Sequence, residues 1–279
     1  MDANSGIVIG SEIFLALYPI LIKLVPTNLT TQLVARFLVF TGLGAAFAKT
    51  SALQETWFTT SGALTSLLFG ALTLFHVGVS YYSFSKLPAG TAMSLFYTYP
   101  IWILLGAIFF LGEPFSFFNF FLVSIAVVGV YFVSKKEEDK EKAYDTKAIL
   151  AALAAAITEA IMYFIVKTQN NPFHSILQLY PGGLLVLLAS LFITKEPIST
   201  NSSVWLPLLL FNAFVGFAGY ALRFYAIPHV KTIVFSLLTF VGVLASFGWG
   251  YLFAEETASD KTLLGALLIS GAAGMTKYV

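Results

Sequence analysis

The chain has 279 residues, of which 58% are hydrophobic and only 10% charged, with mean hydropathy +0.86. Soluble domains carry roughly 25% charged residues, so the composition argues against a water-soluble enzyme. A net charge of +1 gives no basic surface for nucleic acid, and the absence of cysteine removes disulfides, thiolate metal sites and cysteine nucleophiles together.

A helix that crosses a bilayer needs about 20 mostly apolar residues. Ten such spans are predicted in chain order: residues 6–25, 29–48, 62–85, 89–111 and 115–134, then 147–167, 173–193, 203–226, 229–253 and 260–278. The apolar runs are continuous rather than alternating, which argues for an all-α membrane protein and against a barrel. Pro26, Pro88, Pro114, Pro172, Pro197 and Pro228 mark the seams. The first span does not read as a cleavable leader, because no positive charge precedes it and Glu12 interrupts it. Residues 135–147 hold ten of the 29 charged side chains, a charged loop near the middle of the chain. The expected organisation is therefore a first five-helix unit over 1–134, a charged loop over 135–146 and a second five-helix unit over 147–279.

The two units share landmarks at a nearly constant offset. Lys23 pairs with Lys167 at 144, Pro88 with Pro228 at 140, and Glu113 with Glu255, Gly129 with Gly271 and Lys135 with Lys277 at 142. A five-helix unit repeated in tandem enters the membrane from opposite sides, giving inverted repeats of the kind secondary transporters use. Gly129, Gly265 and Gly271 read as helix-packing positions.

Residues 81–133 resemble the repeat of the drug/metabolite transporter superfamily, in its EamA-type ten-helix branch. The resemblance rests on the tyrosine-rich end of span 3, Pro100 in span 4, the Gly112-Glu113 pair and Gly129 in span 5, with Lys23 and Arg36 in spans 1 and 2. The second copy is degenerate: Gly242 stands 13 residues before Glu255, where Pro100 stands 13 before Glu113. The resemblance implies a transporter with its termini in the cytoplasm. The lysines of the loops, counted by the positive-inside rule, place the termini on the other side. Acidic residues interleave with the lysines of the central loop, so the orientation implied by the resemblance is adopted.

Polar stripes at a spacing of three to four residues mark the spans that enclose a cavity. They are His76, Ser80 and Ser83 in span 3; Thr91, Ser94 and Thr98 beside Tyr97 in span 4; Asn212, Gly216, Gly219 and Arg223 in span 8; and Thr232, Ser236, Thr239 and Ser246 in span 9. Spans 5 and 10 lack such stripes and are expected outside.

A charge at membrane depth costs about 2.5–3.5 kcal/mol on insertion scales, so each one there is a candidate functional group. Glu12 and Glu159 are candidate binding or coupling carboxylates, the alternative being neutralisation by a nearby lysine or arginine. Glu159, Tyr163 and Lys167 share a helical face with a spacing that resembles the first helix of the small multidrug resistance branch of the same superfamily, whose glutamate binds protons and cationic substrate in competition. Arg223 is the candidate anion clamp, since a guanidinium forks a carboxylate or phosphate; snorkelling to the interface is its alternative. Arg36, Lys23 and Lys167 read as structural. His76 is a candidate proton shuttle or a hydrogen-bonded buried histidine. Tyr18, Tyr81, Tyr82, Tyr97, Tyr163 and Tyr220, with Asn212, complete the expected cavity wall. Glu113 and Glu255 are expected to cap the helices that follow them.

No HExxH, GxSxG or phosphate-loop motif is present, and no span carries an aspartate at mid-depth. The expectation is a non-enzymatic secondary transporter without cofactor or metal, lying in the plasma (inner) membrane as a monomer or weak dimer. It would move a small polar or amphipathic metabolite, an amino acid or related organic solute first, by alternating access, with protons as a candidate coupling ion and no nucleic-acid partner. A nucleotide-sugar or sugar-phosphate exchanger and a multidrug exporter are the alternatives on the same fold. A channel or a non-transporting membrane protein is the alternative of a different class.

Overall fold

The computed structural model describes residues 2–18, 25, 27–87, 92, 95–134, 145–169, 171–254 and 259–279. Lys23, Pro26, Pro88, Thr91, Ser94, Glu255 and most of the charged central loop lie outside the described residues.

Helices start where short polar side chains can take up the free backbone N–H groups. Asp2 accepts from Ser5 N to open α1 (Ala3–Leu15), and Asn28 accepts from Thr31 N to open α2 (Leu29–Phe47). A short helix, α3 (Thr50–Phe58), follows, and Thr59 then caps the long α4 (Thr60–Lys86). Pro100 sits in the first turn of α5 (Tyr99–Phe110), and α6 (Phe117–Ser134) completes the first part. Asp145 caps α7 (Thr146–Lys167), and Asn171 caps α8 (Pro172–Leu179), which breaks at Tyr180 before α9 (Pro181–Thr194). α10 (Ser202–Phe211) runs through a π turn (Asn212–Phe217) into α11 (Ala218–His229). α12 (Thr232–Leu238), α13 (Val241–Ala254) and α14 (Asp260–Gly274) end the chain with a 3-10 turn, Met275–Tyr278.

The described residues are helical or irregular, with no strand among them. Among the described residues, six stretches have the length and apolarity to cross a membrane: Leu29–Phe47, Thr60–Lys86, Thr146–Lys167, Pro172–Thr194, Ser202–His229 and Thr232–Phe253. The surface is what a bilayer requires. Phe109, Phe117 and Phe192 are 81%, 83% and 86% exposed, while Glu12, Arg36, Glu159 and Arg223 are buried. In water that distribution is inverted; in lipid the apolar groups face the solvent.

Two sequence expectations are corrected. Pro228 lies inside α11 rather than at a seam, one residue before its end. The segment around Trp57, read as a loop, forms α3. Glycines set the helix crossings. A Cβ on Gly182 would strike the Ser66 carbonyl, and one on Gly70 would strike the Gly183 amide, so α4 and α9 touch backbone to backbone. A Cβ on Gly129 would meet the Gly265 carbonyl at 2.8 Å, fixing α6 against α14 as small-residue packing does. Gly271, expected to pack, faces open space. Gly112 ends α5 with φ 64°, a left-handed turn that glycine adopts without strain, and Glu113 N then donates back to Ala107 O.

Candidate functional site

Four ionisable side chains from four helices meet inside the bundle. Glu12 on α1, His76 on α4, Glu159 on α7 and Arg223 on α11 are each 4% exposed or less. Arg223 Nη1 lies 3.0 Å from Glu12 Oε1, and its Nη2 lies 2.6 Å from Glu159 Oε1. Nη2 also donates to the Tyr99 hydroxyl at 3.2 Å. His76 Nε2 lies 3.2 Å from Glu159 Oε2, and its Nδ1 lies 2.9 Å from Thr158 Oγ1. The Thr158 hydroxyl also reaches Ala154 O at 2.8 Å. It has one proton to give, to Ala154 O or to His76 Nδ1, and that choice decides whether Nε2–H is available to Glu159.

Charge counting defines what this cluster can do. Two carboxylates share one guanidinium, so with His76 neutral the cluster carries one excess negative charge. A buried charge needs a partner. A proton on His76 or on either carboxylate balances the cluster, and so does a cationic group arriving from outside. The geometry is that of a site able to exchange protons or cations.

Helix approach makes the cluster possible. A Cβ on Gly219 would crowd Leu15 and Phe14, and one on Gly216 would meet the Tyr18 hydroxyl, so these glycines let α11 and its π turn close on α1. π turns recur at functional sites because they re-aim the side chains that follow; here Tyr220 and Arg223 follow. The Tyr18 hydroxyl donates to Asn212 Oδ1 at 2.9 Å, and Asn212 Nδ2 donates to Leu208 O at 2.8 Å. Gly242 leaves room for the Tyr97 hydroxyl beside the Glu12 carboxylate.

Beside the cluster lies a cavity. Glu12, Tyr18, Arg36, His76, Tyr81, Tyr97, Tyr220 and Arg223 all line it, with Ser80, Val77 and Phe84 among their neighbours. None of its lining comes from α6 or α14, which pack together away from it. Seven of the sequence-predicted residues therefore converge on one space, with Glu159 behind them through Arg223 and His76. Asn212 supports Tyr18 from outside the wall.

Two predicted residues stand elsewhere. The Tyr82 hydroxyl donates to Asp145 Oδ2 at 3.2 Å, on the side of α4 away from Tyr81. Tyr163 donates to Thr232 Oγ1 at 3.2 Å, and that hydroxyl donates to Glu113 Oε1 at 2.6 Å. Glu113 thus meets the start of α12, not the helix that follows it in sequence. Lys167 Nζ donates to Ile227 O and Val230 O at 2.9 and 2.6 Å, closing the end of α11. The Thr232–Glu113 contact ties the chain on the two sides of the central loop to one another, as Thr30 donating to Glu196 Oε2 at 2.6 Å does near the start of α2.

Two residues were missed. Arg36, read as structural, points into the cavity, and Tyr180, at the break between α8 and α9, accepts from its Nη2 at 3.0 Å. Both carried a signal. They are 144 residues apart, the same offset that relates Lys23 to Lys167, and Tyr180 immediately precedes a Pro-Gly-Gly breaker. The described residues hold no group of three or more His, Cys, Asp or Glu side chains able to bind a metal.

Comparisons with known proteins bear on the family and the fold. The profile of the EamA-like transporter family matches residues 5–135 and again residues 145–277. The Pseudopaline exporter CntI of Pseudomonas aeruginosa is 20% identical in strain UCBPP-PA14 and 22% identical in strain PAO1. Each match runs over 205 residues, 73% of this chain and 71% of the relative. One crystal structure superposes with a TM-score of 0.75 over 99% of this chain and 98% of its own, at 14% identity, which establishes likeness of fold.

Proposed function

This chain belongs to the EamA-like transporter family and is a multi-pass membrane transporter, and from that premise we propose that it moves a small polar or amphipathic metabolite by alternating access. The observation that carries the proposal is the Glu12–Arg223–Glu159 cluster with His76, buried against a tyrosine-walled cavity. Amino acids and related organic solutes are the favoured substrates, and a proton exchanged at the cluster is the favoured coupling. The direction favoured is export from the cytoplasm across the plasma (inner) membrane, in line with the exporter among its relatives.

The architecture we propose is ten crossings in two inverted five-helix repeats, over 1–134 and 147–279. Two separate family matches, one on each side of the central loop, support it. So does the contact of Arg36 with Tyr180 at the repeat offset of 144, because positions related by a two-fold axis meet where the axis passes. In such a frame the two halves rock about the shared site.

A stabilisation screen tests the reading. A solute that binds only the folded protein raises its melting temperature by mass action. The expected outcome is stabilisation by one class of small metabolite, strengthened or weakened by pH because the cluster exchanges protons. Indifference to amino acids, amines, nucleotide-linked sugars and lipophilic cations alike would remove the basis for a substrate site in this cavity.

A further inference from the structure

The cavity wall carries a cation for which the described residues supply no counter-ion. Arg36 is 4% exposed, yet among the described residues no carboxylate lies within ion-pair distance of it. Its terminal nitrogens donate to the hydroxyls of Tyr180 at 3.0 Å and Tyr81 at 3.4 Å. The rings of Tyr18 and Tyr220 lie 4.8 Å from its guanidinium carbon. Its Nε is buried with no hydrogen-bond partner. Hydroxyls and ring faces solvate a guanidinium without neutralising it, so its charge and its Nε edge are left unmatched by the residues described.

The opposite charge excess lines the same cavity. Glu12 faces it, and Glu12 and Glu159 have a single guanidinium between them. Arg223 also has a partnerless Nε, but its charge is already met by two carboxylates, which hold Nη1 and Nη2, so Arg36 is the cation with charge to spare. The cavity is therefore dipolar, positive at Arg36 and negative at Glu12.

We propose that Arg36 is the subsite for the substrate's carboxylate and that Glu12, backed by Glu159, receives its ammonium group. The cavity then selects a zwitterion of the amino-acid type over a simple cation or a simple anion. Tyr18, Tyr81, Tyr180 and Tyr220 hold the guanidinium in place, and Tyr18, Tyr81 and Tyr220, which line the cavity, give the substrate's apolar body a surface to lie on. This assignment rests on the transporter reading above and gives its site a substrate chemistry.

Paired ligands test it on the wild-type protein. The probes are the twenty protein amino acids, their α-amides, which lack the carboxylate, and the corresponding acids lacking the amino group, each titrated against the melting temperature of the purified protein. At least one amino acid is expected to bind, and its amide and its des-amino acid are each expected to bind at least about tenfold more weakly, the usual effect of losing one charge-assisted contact. Arg36→Lys keeps the charge and loses the fork, so it is expected to weaken the amino acid by a larger factor than its amide. An amide that binds wild-type protein as tightly as its amino acid, or no binding by any amino acid, overturns the assignment. The wild-type comparison stands even where an Arg36 variant fails to fold. The transporter reading fails by a separate result: no saturable uptake into proteoliposomes for any solute class.

Discussion

Arg223→Ala is expected to destabilise the protein by about 3–5 kcal/mol, the usual consequence of removing one member of a buried ion pair. The structure gives the reason. Glu12 and Glu159 are buried, and Arg223 is the cation within ion-pair distance of both among the described residues. Alanine leaves two carboxylates facing one another without it, and also removes a donor from Tyr99. The melting temperature in detergent measures the loss. Neutralising the whole cluster, with Glu12→Gln, Glu159→Gln and Arg223→Met together, is expected to recover most of the lost stability, since an apolar or neutral replacement of a buried ion cluster is often close to neutral. If Arg223→Ala melted within a degree of wild type, the cluster would not be the buried, interdependent unit described.

Glu159→Gln is expected to separate function from fold. The amide keeps the shape of the side chain and can still accept from Arg223 Nη2, and Glu12 still balances the guanidinium, so stability should fall by no more than about 3 kcal/mol, less than for Arg223→Ala. The cluster, however, loses its excess negative charge and becomes neutral with Glu12 and Arg223 alone. It then has no vacancy for a proton or a substrate ammonium. Transport is expected to fall at least tenfold, equivalent to about 1.4 kcal/mol of lost interaction, and what remains should be insensitive to pH. Uptake by wild-type and variant proteoliposomes across a pH series checks this. A variant with wild-type rate and wild-type pH dependence would move the coupling site away from Glu159.

The two predictions depend on contacts that the sequence reveals unequally. Glu12, Glu159 and Arg223 stand out because a charge in an apolar span is costly wherever it points. That one guanidinium serves both carboxylates is not legible, because the partners come from α1, α7 and α11 and meet only through helix packing. Of the two readings open for each glutamate, the geometry shows pairing with an arginine, one guanidinium shared by two carboxylates, and it also places Glu12 on the cavity wall. Tyr81 and Tyr82 illustrate another limit. Adjacent helical residues point about 100° apart, so Tyr81 reaches the cavity while Tyr82 turns to Asp145.

Arg36 was legible only in part. Its burial could be inferred from its span, but its surroundings come from Tyr18, Tyr81, Tyr180 and Tyr220 on separate segments. The π turn at Asn212–Phe217 shifts the face that α11 presents, and no residue pattern announces such a turn. The glycines were read more readily than their purpose: Gly216 and Gly219 looked like part of a polar stripe and instead make room for Tyr18 and Leu15.

The proposed carrier opens its cavity to one side of the membrane at a time. Counterflow measures that directly. Proteoliposomes loaded with an unlabelled amino acid that stabilises the protein are diluted into a trace of the same compound carrying a radiolabel. A carrier that alternates between sides must accumulate label transiently above its equilibrium level, with an initial rate that saturates. Label that rises monotonically to equilibrium, at a rate proportional to concentration and indifferent to what is inside, would contradict alternating access and make the cavity part of a pore.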